Sequence, residues 1–348
     1  MNLTEFRKIE HIRICLDKEV EAGAALFEEI SLIHQALPEL NLEKIDPAAT
    51  FLGKRLDFPL LIAAITGGCQ EAKQINEALA GVAARKGIAL GLGSQRAMIE
   101  NPDLTETFHV RSVAPKILLL GNIGITAVKQ YPFPKIHQAV RAIEADALCV
   151  HLNPAQELFQ KEGDVDFSAC ADALQRLCRE ADYPIIAKEV GNGISRETAR
   201  FLKSCGVSAI DLGGVGGTSW VLVDSIRSGK DSSQFRTWGI PTAASILEAR
   251  GTGLPLIATG GVRNGLQMAK AILLGADLCG IALPFLRIMN REGVQGVESY
   301  VDTLRREFCF ALYLTGSPDI RAFRKKGFVL GERLRAWIEQ RGLTVPEA

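Results

Sequence analysis

Four polar side chains able to hold a proton, a metal ion or a phosphate stand close together: His151, Asn153, Gln156 and Glu157. They follow the apolar run Ala147 to Val150, which reads as a buried strand. Side chains alternate along a strand, so His151 and Asn153 should face together. Pro154 stops regular structure, which places Gln156 and Glu157 on a loop. An oxygen ligand such as Glu157 suits Mg2+, which takes one or two protein groups and fills its shell with substrate phosphates and water. Alone, Glu157 also reads as a solvated loop acid.

Lys188 closes the run Pro184 to Ala187. A lysine ending an apolar strand needs an anion beside it. It either stabilises negative charge on a cofactor ring or a phosphate, or pairs with an acid inside the fold. Glu189 is adjacent, but alternation points it to the other face. Glycines gather after three further runs, in GGVGGTSW (Gly213 to Trp220), at Gly260-Gly261 and at Gly280. Bare backbone lets amides close on a phosphate, and a following helix adds its positive end. Tight strand-to-helix turns would use the same glycines. Arg7 and Lys8 form a basic pair that matters only if the N-terminal segment folds over the site as a phosphate clamp.

Eight short apolar runs carry these groups, beginning at Leu60, Ile88, Ile117, Ala147, Pro184, Ser208, Pro255 and Leu278. Most are apolar on consecutive positions, as strands buried on both faces are. Amphipathic segments separate them, at 71–86, 136–144, 169–180, 196–204 and 266–274. The pattern predicts an α/β fold, a (β/α)8 TIM barrel over 59–348, with an open doubly wound sheet as the alternative. Active sites of such barrels lie at the carboxyl ends of the strands. Residues there include Thr66 after the first run, Ser94, Gln95 and Arg96 after the second, and Asn122 in the third.

Residues 1–58 depart from the pattern and read as an N-terminal extension. Phe6 to Leu16 is short and basic. Glu19 to Ala36 places Val20, Ala24, Leu26, Phe27, Ile30 and Ile33 at helical spacing. Phe51 to Phe58 reads as a hairpin. The longest interval, Trp220 to Arg250, contains SIRSGKDSSQF and is expected to be a mobile loop over the rim.

The 348 residues are 47% hydrophobic and 23% charged, with zero formal net charge. Neutrality removes the electrostatic case for nucleic acid or an anionic membrane and permits a homo-oligomer. No window approaches the ~20 apolar residues of a membrane span. The charged N-terminus lacks a signal-peptide core, so a cytoplasmic protein is expected. The eight cysteines include no CxxC pair, and Cys170 and Cys178 are too far apart for a local zinc pair.

Taken in order, the motifs RKIEHI, ITGG, GLGSQR, HLNPAQE, EGD, KEVGNGIS, GGVGGTSW and TGGVRNG resemble the type 2 isopentenyl diphosphate isomerases, which use FMN. The resemblance covers nearly the whole chain. It implies that Ala64, Ile65, Thr66, Ser94, Asn122, Lys188, Gly213, Thr218, Gly261, Val262, Arg263, Ala282 and Leu283 hold the flavin. It implies that Arg7, Lys8, Ser94, Gln95, Arg96, His151 and Gln156 hold a prenyl diphosphate, which shares Mg2+ with Glu157. Asn153 and Gln156 would flank the reacting carbons, with His151 and Lys188 among the catalytic groups. The family reaction shifts a double bond by adding one proton and removing another. It needs reduced flavin, with NADPH or a comparable donor as the electron source, and the family suggests a homotetramer or larger.

Two positions depart from the family. Asp224 stands where many members carry glutamate, and Ile65 replaces methionine. A 2-hydroxy acid oxidase would resemble its relatives in carrying histidine after the sixth run, and GGVGGTSW has none. An IMP-dehydrogenase-like enzyme would need a nucleophilic cysteine, whereas Cys205 and Cys279 lie in or beside apolar runs. A non-catalytic flavin or phosphate regulator would keep the glycines and lose the polar rim.

Overall fold

A computed structural model describes residues 3–345. The chain begins with α1 (Leu3–Asp17), continues to a short strand, β1 (Ile30–Leu32), and then makes the hairpin β2 (Ala49–Phe51) and β3 (Lys54–Leu56). The helical spacing of 19–36 does not produce a helix. Gly23 and Leu26 both take positive φ, 75° and 65°, which ends helical propagation. Val20, Phe27 and Ile30 are buried by packing on the barrel, while Ile33 is exposed. Tertiary burial rather than one helical face sets that pattern.

All eight apolar runs form strands. In chain order come β4 (Leu60–Ile62), α2 (Gln70–Lys86), β5 (Ala89–Gly91), α3 (Arg96–Glu100) and β6 (Leu119–Gly124). Next are α4 (Ile125–Gln130), α5 (Phe133–Ala142), β7 (Ala147–Leu152), α6 (Pro154–Phe159) and α7 (Cys170–Glu180). Then follow β8 (Ile185–Glu189), α8 (Arg196–Cys205), β9 (Ala209–Asp211), α9 (Trp220–Ser228) and α10 (Thr242–Arg250). The barrel ends with β10 (Leu256–Thr259), α11 (Gly265–Leu274), β11 (Leu278–Ile281) and α12 (Leu283–Leu314). The strands are parallel, and β11 closes on β4 with Cys279 opposite Leu60. Closure rules out the open sheet. α12 is two helices run together at Gly293, where φ is 65°. After α13 (Ile320–Phe323), β12 (Phe328–Leu330) pairs antiparallel with β1, and α14 (Glu332–Arg341) completes the chain.

Register determines which side chains meet at the rim. Gly124 pairs with His151, His151 with Lys188, and Lys188 with Asp211. These ends of β6 to β9 therefore lie at one level. At the opposite end, Phe51 and Leu56 of the hairpin pack with the inward residues Leu118, Cys149, Ile186 and Leu278. Lys54 and Arg111 converge on Asp146, at 2.6 and 2.9 Å, and pin the hairpin there.

The interval expected as a mobile loop is largely ordered by contacts. Ser228 ends α9, and Lys230 Nζ donates to the carbonyls of Leu158 and Gln160 at 2.9 and 3.0 Å. Among the described residues, no helix is long and apolar enough to cross a membrane.

Candidate functional site

A cavity opens at the carboxyl ends of the strands, under α1. Its first wall is α6. Asn153 is the residue before that helix, at φ −138° and ψ 43°, and Pro154 stands in the first turn. Proline at the start of a helix forfeits only an amide that has no helical partner. So Pro154 starts a helix instead of ending order, and Gln156 and Glu157 lie on its first turn, not on a loop. Asn153 Nδ2 donates to Glu157 Oε1 at 2.8 Å and to Gln156 Oε1 at 3.2 Å. Glu157 Oε2 accepts from the Asp164 amide at 2.8 Å and from Gln160 at 3.1 Å. Burial pushes the Glu157 carboxyl above its usual range against these donors. Gln156 Nε2 donates to Asp224 Oδ2 at 2.8 Å, and the other Asp224 oxygen lies 2.9 Å from His11 Nε2. Asp224 is completely buried.

The second wall is α1. Lys8, His11, Ile12 and Cys15 follow helical spacing i, i+3, i+4, i+7, and all four line the cavity with Arg7. His11 also packs edge-on against Trp220, 5.1 Å between ring centres. Burial, then the neighbouring Arg7, lowers the Lys8 ammonium to about 8. Burial and Arg96 lower Arg7. Among the described residues, neither Arg7 nor Lys8 has a carboxylate at ion-pair distance. Arg96 does, with Glu100 at 2.7 Å.

His151 and Lys188 complete the floor. His151 Nδ1 lies 2.7 Å from Asn122 Oδ1, which only accepts, so Nδ1 carries the proton. Burial, helped by the charges of Lys8 and Lys188, drops its imidazole to about 3. It is therefore neutral, with Nε2 free to accept. Lys188 Nζ donates to Asp211 Oδ2 at 2.8 Å. Burial alone would lower Lys188; the charge and hydrogen bond of Asp211 raise it instead. The buried anion that the sequence demands for Lys188 is thus Asp211, on the neighbouring strand. Glu189 points elsewhere and accepts backbone amides of 190–193.

Glycines from three strand ends form the far side, with Gly213, Gly217, Gly260, Gly261 and Gly280 in the lining. A Cβ on Gly217 would stand 2.6 Å from the Gly261 nitrogen, so the two loops pack backbone on backbone. Tight turning and an amide-lined wall are both served. Two amides at the start of the helix after Gly261 are not open to a ligand. The α11 amides of Gly265 and Gln267 are taken by Glu307 and Asn264, each at 2.8 Å. The start of α12 has no capping side chain, and its Ala282 and Leu283 line the cavity.

The structure brings Ala64, Ile65, Thr66, Ser94, Asn122, Gly213, Thr218, Arg263, Ala282 and Leu283 into this lining. Arg263 is ion-paired with Glu21. Two expected contacts are not there. Gln95 turns away, its amide bonded to the Gly93 carbonyl and the Asn122 amide. Val262 is buried beneath the wall. Thr66 lines the cavity, and its buried Oγ1 has no hydrogen-bond partner among the described residues, which leaves a hydroxyl for a bound group to engage. With the amide-rich glycine wall, this donor set fits a flavin phosphate and ring. Among the described residues, no cluster of three metal-binding side chains occurs. Glu157 alone would need a ligand's own oxygens to complete a Mg2+ shell.

Isopentenyl-diphosphate delta-isomerases of Methanoregula boonei and Pyrococcus abyssi are 43% and 44% identical to this chain, over 97% of it and 96% and 95% of their own lengths. This chain belongs to the isopentenyl-diphosphate delta-isomerase family. A profile of the FMN-dependent dehydrogenases also matches residues 133–329. Among solved structures, a putative lactate oxidase of Pediococcus acidilactici superposes with TM-score 0.68 at 15% identity, covering 95% of this chain and 96% of that one. A mandelate oxidase variant does so with TM-score 0.64 at 16%, covering 93% and 96%. At those identities the superpositions of the isomerase-family chain on the oxidases show the barrel fold alone.

The motif reading of this family member gives no role to His11, Asp211 or Trp220, and marks Asp224 only as a departure from the family. Two left a signal. His11 lies one helical turn from Lys8, on the same face. Asp211 is a lone charge inside an apolar run beside the run that carries Lys188.

Proposed function

We propose that the chain interconverts isopentenyl diphosphate and dimethylallyl diphosphate, using reduced FMN and Mg2+, as a step of isoprenoid synthesis. One observation carries the reading. Arg7 and Lys8 are held over the cavity by α1 with, among the described residues, no carboxylate at ion-pair distance, beside the amide network of Asn153 and Gln156. Such cations suit a diphosphate. The names of the relatives support the substrate.

FMN, when bound and reduced, would supply the proton-transfer chemistry at the alkene. The chain's own groups do the rest. Arg7, Lys8 and Arg96 bind the diphosphate, and Glu157 would help hold Mg2+, which would offset phosphate charge. Asn153 and Gln156, locked to Glu157 and Asp224, shape the space for the five-carbon chain. Neutral His151 is no strong acid, and a bound diphosphate would raise its basicity. Lys188 presents a fixed positive charge to the flavin. NADPH is taken as the reductant, and the working form as a cytoplasmic homotetramer or larger assembly, which zero net charge permits.

Purified protein is to be mixed with reduced FMN, Mg2+ and isopentenyl diphosphate. The expected product is the dimethylallyl isomer, with no net consumption of reductant. Stoichiometric oxidation of the donor would make the chain an oxidoreductase instead. Absence of turnover with flavin still bound would indicate a regulator.

A further inference from the structure

We propose that Asp211 is a positioning residue, which with Thr259 holds the Lys188 ammonium fixed, charged and aimed into the cavity. Its geometry stands by itself; its consequence for FMN rests on the function proposed above.

Asp211 lies behind a wall to which Lys188 and Thr259 contribute. It ends β9, directly opposite Lys188 in the register with β8. Both of its oxygens are committed. Oδ2 takes Lys188 Nζ at 2.8 Å, and Oδ1 takes the Thr259 hydroxyl. Thr259 Oγ1 in turn accepts the Gly213 amide at 2.8 Å. One carboxylate therefore ties β8, β9, β10 and the glycine loop together. An ammonium has three hydrogens, and only one is used by Asp211. Among the described residues no other acceptor takes the remaining two. They are left for an electron-rich acceptor in the cavity, such as a conjugated ring that gains negative charge on reduction.

The other groups around Lys188 cannot replace Asp211. Burial pushes the Cys149 thiol up to about 12, so it stays neutral. His151 is neutral as well, and Glu189 is spent on backbone amides. Without the Asp211 charge, burial would strip the proton from Lys188.

The test uses full-length protein with 15N-labelled lysine, the Lys188 signal being assigned by its loss in Lys188→Met. In the wild type the ammonium should persist from about pH 6 to about pH 9, whereas in Asp211→Asn it should titrate away inside that window. FMN affinity should fall about tenfold in Lys188→Met and in Asp211→Asn. It should fall by less than the sum of the two in the double variant, because Asp211 acts mainly through Lys188. Should Asp211→Asn not fold, Asp211→Ser, which also removes the charge, should shift the titration the same way. An unchanged ammonium titration in these variants, or additive losses of affinity, would overturn the proposal. A fixed ammonium in wild-type protein that binds no FMN would overturn the flavin reading and leave the role of Asp211 intact.

Discussion

Replacing Asp224 tests whether the polar wall acts as one unit. The carboxylate is completely buried and accepts two hydrogen bonds, from His11 at 2.9 Å and Gln156 at 2.8 Å. Burial lowers His11, so its imidazole is neutral and donates through Nε2. Hydrogen bonds to a charged acceptor are each worth roughly 1.5–3 kcal/mol, giving a ceiling of about 3–6 for the pair. Asp224→Ala also removes the cost of burying a carboxylate, so the net loss should be about 2–4 kcal/mol of folding stability. Arg227, 3.8 Å from Asp224, keeps Glu10 and Glu162 as partners at 2.9 and 2.8 Å and adds little to the loss. Asp224→Asn should behave differently. Its oxygen can still take the Gln156 amide, and its nitrogen can donate to His11 once the imidazole swaps tautomer. The expected cost is about 1 kcal/mol, a single neutral hydrogen bond. Urea unfolding gives the stabilities, and initial rates with isopentenyl diphosphate give kcat and KM. Alanine should lower kcat at least about tenfold as Gln156 loses its anchor, and asparagine should recover most of that. An alanine variant within about 0.5 kcal/mol of wild type, with unchanged turnover, would refute the coupling.

Glu157→Gln should reduce Mg2+-dependent turnover about 10- to 100-fold while FMN stays bound, as read by magnesium titration beside flavin fluorescence. Lys8 is charged below about 8 and neutral above it. KM for the diphosphate should therefore rise about tenfold as pH climbs through that value, and Lys8→Arg should abolish the rise. Gly217→Ala forces a Cβ to 2.6 Å from the Gly261 nitrogen. Separating the two loops should weaken FMN binding by roughly 1–3 kcal/mol, measured by equilibrium titration.

The barrel was readable because each strand is buried on both faces, which prints an unbroken apolar run. The rim residues were readable because polar groups there interrupt such runs. Three shortfalls share a cause. Pro154 looked like a stop because its missing amide breaks a helix interior, yet that loss is harmless in a first turn. Residues 19–36 mimicked helical periodicity because barrel packing chose which apolar groups to bury, with two positive-φ residues bending the chain. Alternation correctly turns Glu189 away from Lys188 but names no partner in its place, and parallel register supplies Asp211 from 23 residues away. Local spacing cannot show which strands become neighbours. Gln95 marks the same limit, since its motif position says nothing of where its amide turns.

The β2–β3 hairpin adds a lid to the packed floor of the barrel, which is open at one end only. Phe51 and Leu56 stopper its base, and Asp146 clasps the stopper through Lys54 and Arg111. All traffic must then pass the same lip, beneath α1. Whatever settles deepest is loaded first and leaves last, so a small molecule resting above it would also act as its latch.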